Sequence, residues 1–208
     1  MKEPQIQVRR RPRQSRAKFT QQALQESFVR LLSQHTAERI TIREITNLAG
    51  VGLGTFYEYF SRKEDLLALA IHSHVKQNAT QLLDYAQRHA GTAPAHLLDQ
   101  VTHLIQYQLQ LIQREQFLWA QIFLLERQIS SIDSYRKSYS MMEQMWRQLI
   151  RAYVEHDAVA AIALNIQRIC YGFVSQTLLI NPQFQDWPYL EQDILQALSG
   201  VIQPNSSV

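Results

Sequence analysis

Glycine stands at positions 50, 52 and 54, three of the six glycines in this 208-residue chain, within the run GVGLGTFYEYF. Glycines this dense serve one of two purposes: a loop whose amides cradle a phosphate, or a turn that lets a helix end approach another molecule closely. The dinucleotide fingerprint G-x-G-x-x-G needs a third glycine where Thr55 stands, and a strand in front of it. The preceding segment, TIREITNLA (41–49), instead carries helical spacing and a Thr41/Glu44 capping box. A P-loop needs Lys-Ser/Thr after its last glycine, and here Thr55-Phe56 follows Gly54. Nucleotide cradling is excluded.

No other constellation suggests catalysis or metal binding. Of the seven histidines, His72 and His74 are two apart and point different ways on a helix, and His96 and His103 have no acidic ligand at bridging positions. There is no H-E-x-x-H and no G-x-S-x-G. Cys170, the single cysteine, lies mid-helix among apolar residues, as an inert buried thiol does, and forbids an intramolecular disulfide framework. The expectation is a non-enzyme with no catalytic residue, metal or cofactor, working in a reducing cytoplasm.

The glycines make sense as part of a helix-turn-helix. Ile42, Ile45 and Ala49 face inward on the first helix, Gly50 supplies the left-handed residue that ends it, and Val51 plugs the turn. The second helix starts near Leu53, turns Phe56 and Phe60 to the core, and presents Thr55, Tyr57, Glu58 and Tyr59. Gly52 and Gly54 leave its N-terminus bare, so its amides and positive dipole end can meet a phosphodiester backbone. Lys63 falls in the first turn of the next helix, where a cation is disfavoured unless an anion sits beside it.

The elements around this turn are helical almost throughout, with no sustained period-two alternation. A first helix spans about Ser15–Gln34 with Phe19, Ala23, Leu24, Phe28, Leu31 and Leu32 on its apolar face. A long helix opens at Ser61 and ends near Gly91 and Pro94. Further helices cover about 94–112, 115–128, 131–155, 157–181 and 188–201. The fold class is all-α: a small three-helix head (15–66) followed by a larger helical bundle (67–208). Residues 158–185 are apolar with Arg168 as the sole charge, but Asn165, Gln167 and Ser175–Thr177 interrupt them, so a protein-covered helix is expected rather than a membrane span.

Charge follows the same division. Residues 1–66 carry twelve Lys/Arg against seven Asp/Glu, whereas the remainder carries nine against eleven. Residues 1–14 form a basic arm, with Arg9, Arg10 and Arg11 at its centre. By itself such an arm is equally a solvated, disordered tail or a phosphate-binding segment. In front of a helix-turn-helix, the expectation is that it lies in an adjacent minor groove.

The segment TIREITNLAGVGLGTFYEYFSRKEDLL (41–67) resembles the DNA-binding domain of the tetracycline-repressor (TetR) family of bacterial regulators, with Gly50-Val51, Gly54-Thr55, Tyr57, Phe60, Lys63 and Leu66-Leu67 in register. Two positions depart from the pattern. Thr46 stands where alanine is usual, and Gly52 where serine or threonine is common, so Gly52 contributes only its backbone. The resemblance implies Arg43 as a base-reading residue against a guanine edge. It likewise implies Thr55 and Tyr59 as base or methyl contacts, Thr41, Tyr57 and Lys63 as phosphate contacts, and Leu53 and Gly54 at the contacting helix end. Tyr57 has a second reading, as an aromatic that braces the head.

The resemblance also implies an effector cavity in the bundle without locating it. Candidate lining residues are Tyr107, Trp119, Phe123, Tyr139, Met142, Trp146 and Phe173, although for any one of them core packing is the stronger reading. So few charges on these faces point to a lipophilic or aromatic effector. The last two helices, with small residues at Ala160, Ala161, Ala163, Gly172 and Ser175, have the composition of a two-fold contact between copies of the chain. The expected protein is therefore a homodimer on a palindromic DNA operator, released by a small molecule. The alternatives are an activator, a ligand-independent DNA-binding protein, and a helical enzyme or lipid carrier.

Overall fold

The computed structural model describes residues 15–202, all of its regular structure helical. In chain order the helices are α1 (Ser15–Leu32), α2 (Ile42–Leu48), α3 (Leu53–Tyr59), α4 (Lys63–Arg88), α5 (Leu97–Arg114), α6 (Gln116–Ile129), α7 (Ile132–Ile150), α8 (His156–Ile180) and α9 (Trp187–Ile202), with a 3-10 turn at Ala90–Thr92. The basic arm, including Arg9, Arg10 and Arg11, lies outside the described residues.

The chain divides into two compact units. One comprises the described residues up to His74 together with Phe117–Arg136, and the other comprises Val75–Gln116 and the described residues from Lys137 onward. Helix α4 carries the first unit past residue 66, the boundary expected from sequence, as far as His74. Leu66, Leu67, Ala70 and Ile71 are all buried along one uninterrupted helix, so nothing there separates two cores.

In the first unit Leu24, Phe28 and Leu32 of α1, Ile40 and Ile45, Phe56 of α3, Phe60 just after it, and Leu66 are each at most 2% exposed. Each such side chain contributes roughly 1.5–3 kcal/mol relative to exposure. Phe19 does not join them. It is 70% exposed, one turn before the buried stripe begins at Leu24. Helix α6 adds Trp119, whose ring lies 5.2 Å from that of His74 and 5.5 Å from that of Phe123.

In the second unit α9 packs against both α5 and α8. Gln116 fastens the connection between α8 and α9: its amide donates to the carbonyls of Pro182 and Phe184, both at 2.9 Å, and its Oε1 accepts from Trp187 Nε1 at 3.3 Å. Helix α7 stops at Ile150, five residues before its sequence-expected end, and Tyr153 sits in the following turn. Helix α8 is long and apolar enough to cross a membrane by length and composition, despite the polar residues that were expected to break it. Only 33% of its most apolar window is buried within the chain, short of the coverage its composition suggested.

Candidate nucleic-acid interface

The geometry of the glycine run follows from its hydrogen bonds. Helix α2 starts at a capping box, in which the Glu44 amide donates to Thr41 Oγ1 at 3.2 Å and the Thr41 amide donates to Glu44 Oε2 at 2.7 Å. It ends in a Schellman motif, with the Gly50 amide donating to Asn47 O at 3.2 Å and the Val51 amide to Thr46 O at 3.0 Å. That closure needs a left-handed residue, and Gly50, at φ 67°, is the only described residue with a positive φ. Thr46, in the place where alanine was expected, is 2% exposed, and its hydroxyl donates to Arg43 O at 3.1 Å. The buried oxygen is thereby satisfied.

Helix α3 begins with Gly52 as its N-cap, in extended conformation and without any side-chain cap. A Cβ on Gly54 would meet nothing within 4 Å in the chain. The helix end is thus bare, as two glycines dictate, and its first amides are open to an anion. On α2, Arg43, Asn47 and Leu48 are exposed, and on α3 so are Leu53, Gly54, Tyr57 and Glu58. The spacing of each set puts it on one helix face, opposite Ile45 on α2 and Phe56 on α3. Arg43 makes no ion pair or side-chain hydrogen bond among the described residues, so its five donors are free for a base edge or a phosphate.

The structure sorts the residues expected to touch DNA. Arg43, Gly52, Leu53, Gly54 and Tyr57 are exposed, and Thr55 is half-buried. Tyr57 keeps both of its readings: its ring meets Phe56 edge-on at 5.3 Å, and 43% of the residue remains exposed. Tyr59 is 4% exposed, which places it in the core rather than on the contact face. The reason is its spacing: Phe56, Tyr59 and Phe60 are the i, i+3 and i+4 positions of one inward stripe.

Thr41 is committed as well, since its hydroxyl donates to Glu44 Oε2 at 2.7 Å while accepting from the Glu44 amide. These bonds, the main-chain one first, hold the Glu44 carboxyl below its ordinary pKa of 4.5. Lys63 Nζ donates to Ala37 O at 2.7 Å and to Ile40 O at 2.9 Å. Asn47, Leu48 and Glu58 join the exposed faces without having been singled out as contacts. The i+4 relation of Asn47 to Arg43 and of Glu58 to Gly54 was the signal that marked them.

The seven effector candidates divide between the two units. Trp119 and Phe123 meet within the unit that holds the head. In the other unit, Tyr107 stacks on Tyr85 at 4.0 Å and Tyr139 meets Tyr171 edge-on at 6.3 Å. Met142 and Trp146 are buried there, while Phe173 is 37% exposed. An open groove of about 720 Å³ does lie in this unit, at the corner between α7 and α8, lined by Arg147, Arg151, Val154, His156 and Val159 among others, and by none of the seven. The Cys170 thiol is pushed up to about 12 by burial, which leaves it protonated and inert. Among the described residues no three His, Cys, Asp or Glu side chains group as a metal site.

Residues 28–70 match the family model described as bacterial regulatory proteins, tetR family. By sequence, no curated protein matches the chain. Solved structures share its fold at low identity. A TetR transcriptional regulator from Rhodococcus sp. RHA1 is 17% identical, with 93% of this chain and 100% of that one covered at a TM-score of 0.67. Thermus thermophilus FadR, a TetR-family transcriptional repressor in complex with lauroyl-CoA, is 14% identical, with 90% and 97% covered at 0.65. The transcriptional regulator FadR from Bacillus subtilis, in complex with stearoyl-CoA, is 18% identical, with 88% and 99% covered at 0.61.

Proposed function

We propose, from the match of residues 28–70 to the model of the tetR family of bacterial regulatory proteins, that the chain is a homodimeric repressor of transcription, released from a palindromic operator by a lipophilic effector. The observation that carries the DNA-binding half of this reading is the bare α3 N-terminus, set beyond the Gly50 turn and flanked by the unpaired Arg43. In this reading the α3 amides and Tyr57 engage the phosphodiester backbone, and Arg43 reads a guanine edge, worth about 1–3 kcal/mol of discrimination. The basic arm adds phosphate contacts in the neighbouring minor groove.

Dimerisation follows from the surface of α8 and α9. Phe173 is 37% exposed, Ile180 88% and Tyr189 59%, on helices whose composition calls for cover. A second copy supplies that cover and gives the two heads a palindrome requires. The effector is assigned to the second unit, whose buried aromatic and apolar residues suit a lipophilic molecule better than a small anion. Acyl-CoA thioesters are the first class to test, because two structural neighbours hold them. Binding that favours one separation of the two heads over another shifts the dimer between DNA-competent and DNA-incompetent populations. The setting is the cytoplasm, where the operator is.

Mobility shift against the DNA upstream of the chain's own gene tests this, at several salt concentrations and with a panel of acyl-CoA thioesters, fatty acids and aromatic lipophiles. A salt-steep complex that one class dissolves is the expected result. A complex indifferent to every lipophile ends the effector reading and leaves a constitutive DNA-binding protein.

A further inference from the structure

Lys63, like Tyr59 and Thr41, is placed at odds with the role the resemblance gives it. On dipole grounds its place at the start of α4 is unfavourable, which calls for an anion or for acceptors close by. The chain itself supplies them. Nζ donates to the carbonyls of Ala37 and Ile40 at 2.7 and 2.9 Å, using two of its three protons. Both carbonyls belong to the non-helical segment between α1 and α2, anchored by the buried Ala37 and Ile40 side chains. Two carboxylates face the same ammonium. Glu38 is held below its ordinary pKa by its main-chain amide first, then by the Thr36 hydroxyl, with Lys63 contributing. Glu44 is held down mainly by Thr41, and Lys63 contributes there too. A phosphate approaching Nζ would find one remaining donor, with the carboxylates of Glu38 and Glu44 opposing its charge.

We infer that Lys63 is a positioning residue for DNA reading: it ties the first turn of α4 to the segment that ends in the α2 N-cap, and so sets where Arg43 points. Ile40 immediately precedes Thr41, the N-cap of α2, and Arg43 follows two residues later. Anchoring the Ile40 carbonyl fixes the start of α2 relative to α4. The tether therefore governs sequence discrimination, while backbone affinity comes from the α3 amides, Tyr57 and the basic arm. This inference rests on the DNA-binding reading above.

The test uses the full chain carrying Lys63→Met, which keeps most of the stem and loses every donor, beside Lys63→Arg, which keeps the charge and restores N–H donors. Melting temperature is measured, together with affinity across salt for a palindromic operator duplex and for a scrambled one. For Lys63→Met the expectation is a melting point lower by roughly 2–6 °C, an unchanged salt slope, and an operator-to-scrambled ratio reduced about tenfold. Lys63→Arg recovers part of both losses, and it carries the test if the Met variant does not fold. A slope shallower by about two for the dimer, with melting unchanged, identifies a phosphate ligand and overturns the inference. A lower melting point with the ratio intact reduces Lys63 to a scaffold contact and overturns it equally. Wild-type protein that binds neither duplex defeats the regulator reading itself, an outcome distinct from either of these.

Discussion

The helix-turn-helix and the α8–α9 pair are built on opposite terms. In the head, main-chain geometry does the work: two capping motifs, one left-handed glycine and a helix end stripped of side chains set where a few exposed groups lie. In the α8–α9 pair, side-chain surface does the work, and the single chain leaves part of that surface uncovered. The head closes its core within one copy, whereas the pair leaves apolar surface that a second copy covers in the proposed dimer. Substitutions should therefore act differently in the two regions, and the contrast can be broken experimentally.

The largest effect is expected at Gly54. Its Cβ position is open within the chain, so Gly54→Leu should leave the melting temperature and the dimer unaltered. The same side chain would stand where a DNA backbone has to approach, so operator affinity should fall at least about a hundredfold, close to 3 kcal/mol. Retained binding would mean that α3 does not meet DNA by this end. Next is Gln116 in the second unit. Gln116→Ala removes three hydrogen bonds and leaves the indole N–H of the 6%-exposed Trp187 without its acceptor. The cost is roughly 1–3 kcal/mol, read from the denaturant midpoint. Because Gln116 holds the α8–α9 connection, the dimer should dissociate at higher protein concentrations than wild type, and an unchanged dissociation constant would detach this clamp from the interface.

How far the sequence could be read follows the same contrast. Turns and caps depend on residues close in sequence, so Thr41, Glu44, Gly50 and Val51 could be read directly, and the helix order with them. Tyr59 was implied as a contact by the resemblance, whereas its spacing from Phe56 and Phe60 puts it on the same inward stripe, where it is 4% exposed. Lys63 needed partners more than twenty residues away, at Ala37 and Ile40, which no local pattern reveals. The end of α7 at Ile150 has neither glycine nor proline to mark it. In the bundle, aromatic residues at helical spacing announce burial but not what they are buried against. Trp119 and Tyr107 accordingly fell in different units.

Two glycines sharpen the comparison at lower energy. Gly50→Ala forces a Cβ into a left-handed backbone and should destabilise the head by about 1–2 kcal/mol, although open space surrounds it. Gly172→Ala lies inside α8 with equally open space and should stabilise the folded chain by about 0.5–1 kcal/mol through helix propensity. Thermal melts at a protein concentration low enough to favour monomer separate these signs. If Gly172→Ala instead weakens dimerisation, as sedimentation would detect, the partner helix approaches at that residue.

The smallest effect tests the departure at Gly52. A serine there would place a hydroxyl at the α3 N-cap, within reach of the Thr55 amide that now donates to Gly52 O at 3.0 Å. Because glycine is itself a tolerable N-cap, the gain in stability should be only a few tenths of a kcal/mol. The effect on DNA is the more informative half. If the bare amides of α3 are what meets phosphate, Gly52→Ser adds a donor beside them and should tighten the operator and the scrambled duplex alike, leaving their ratio unchanged. A serine that caps the helix but weakens binding would show instead that the backbone comes closer at Gly52 than a side chain permits, making this glycine, like Gly54, a requirement for contact.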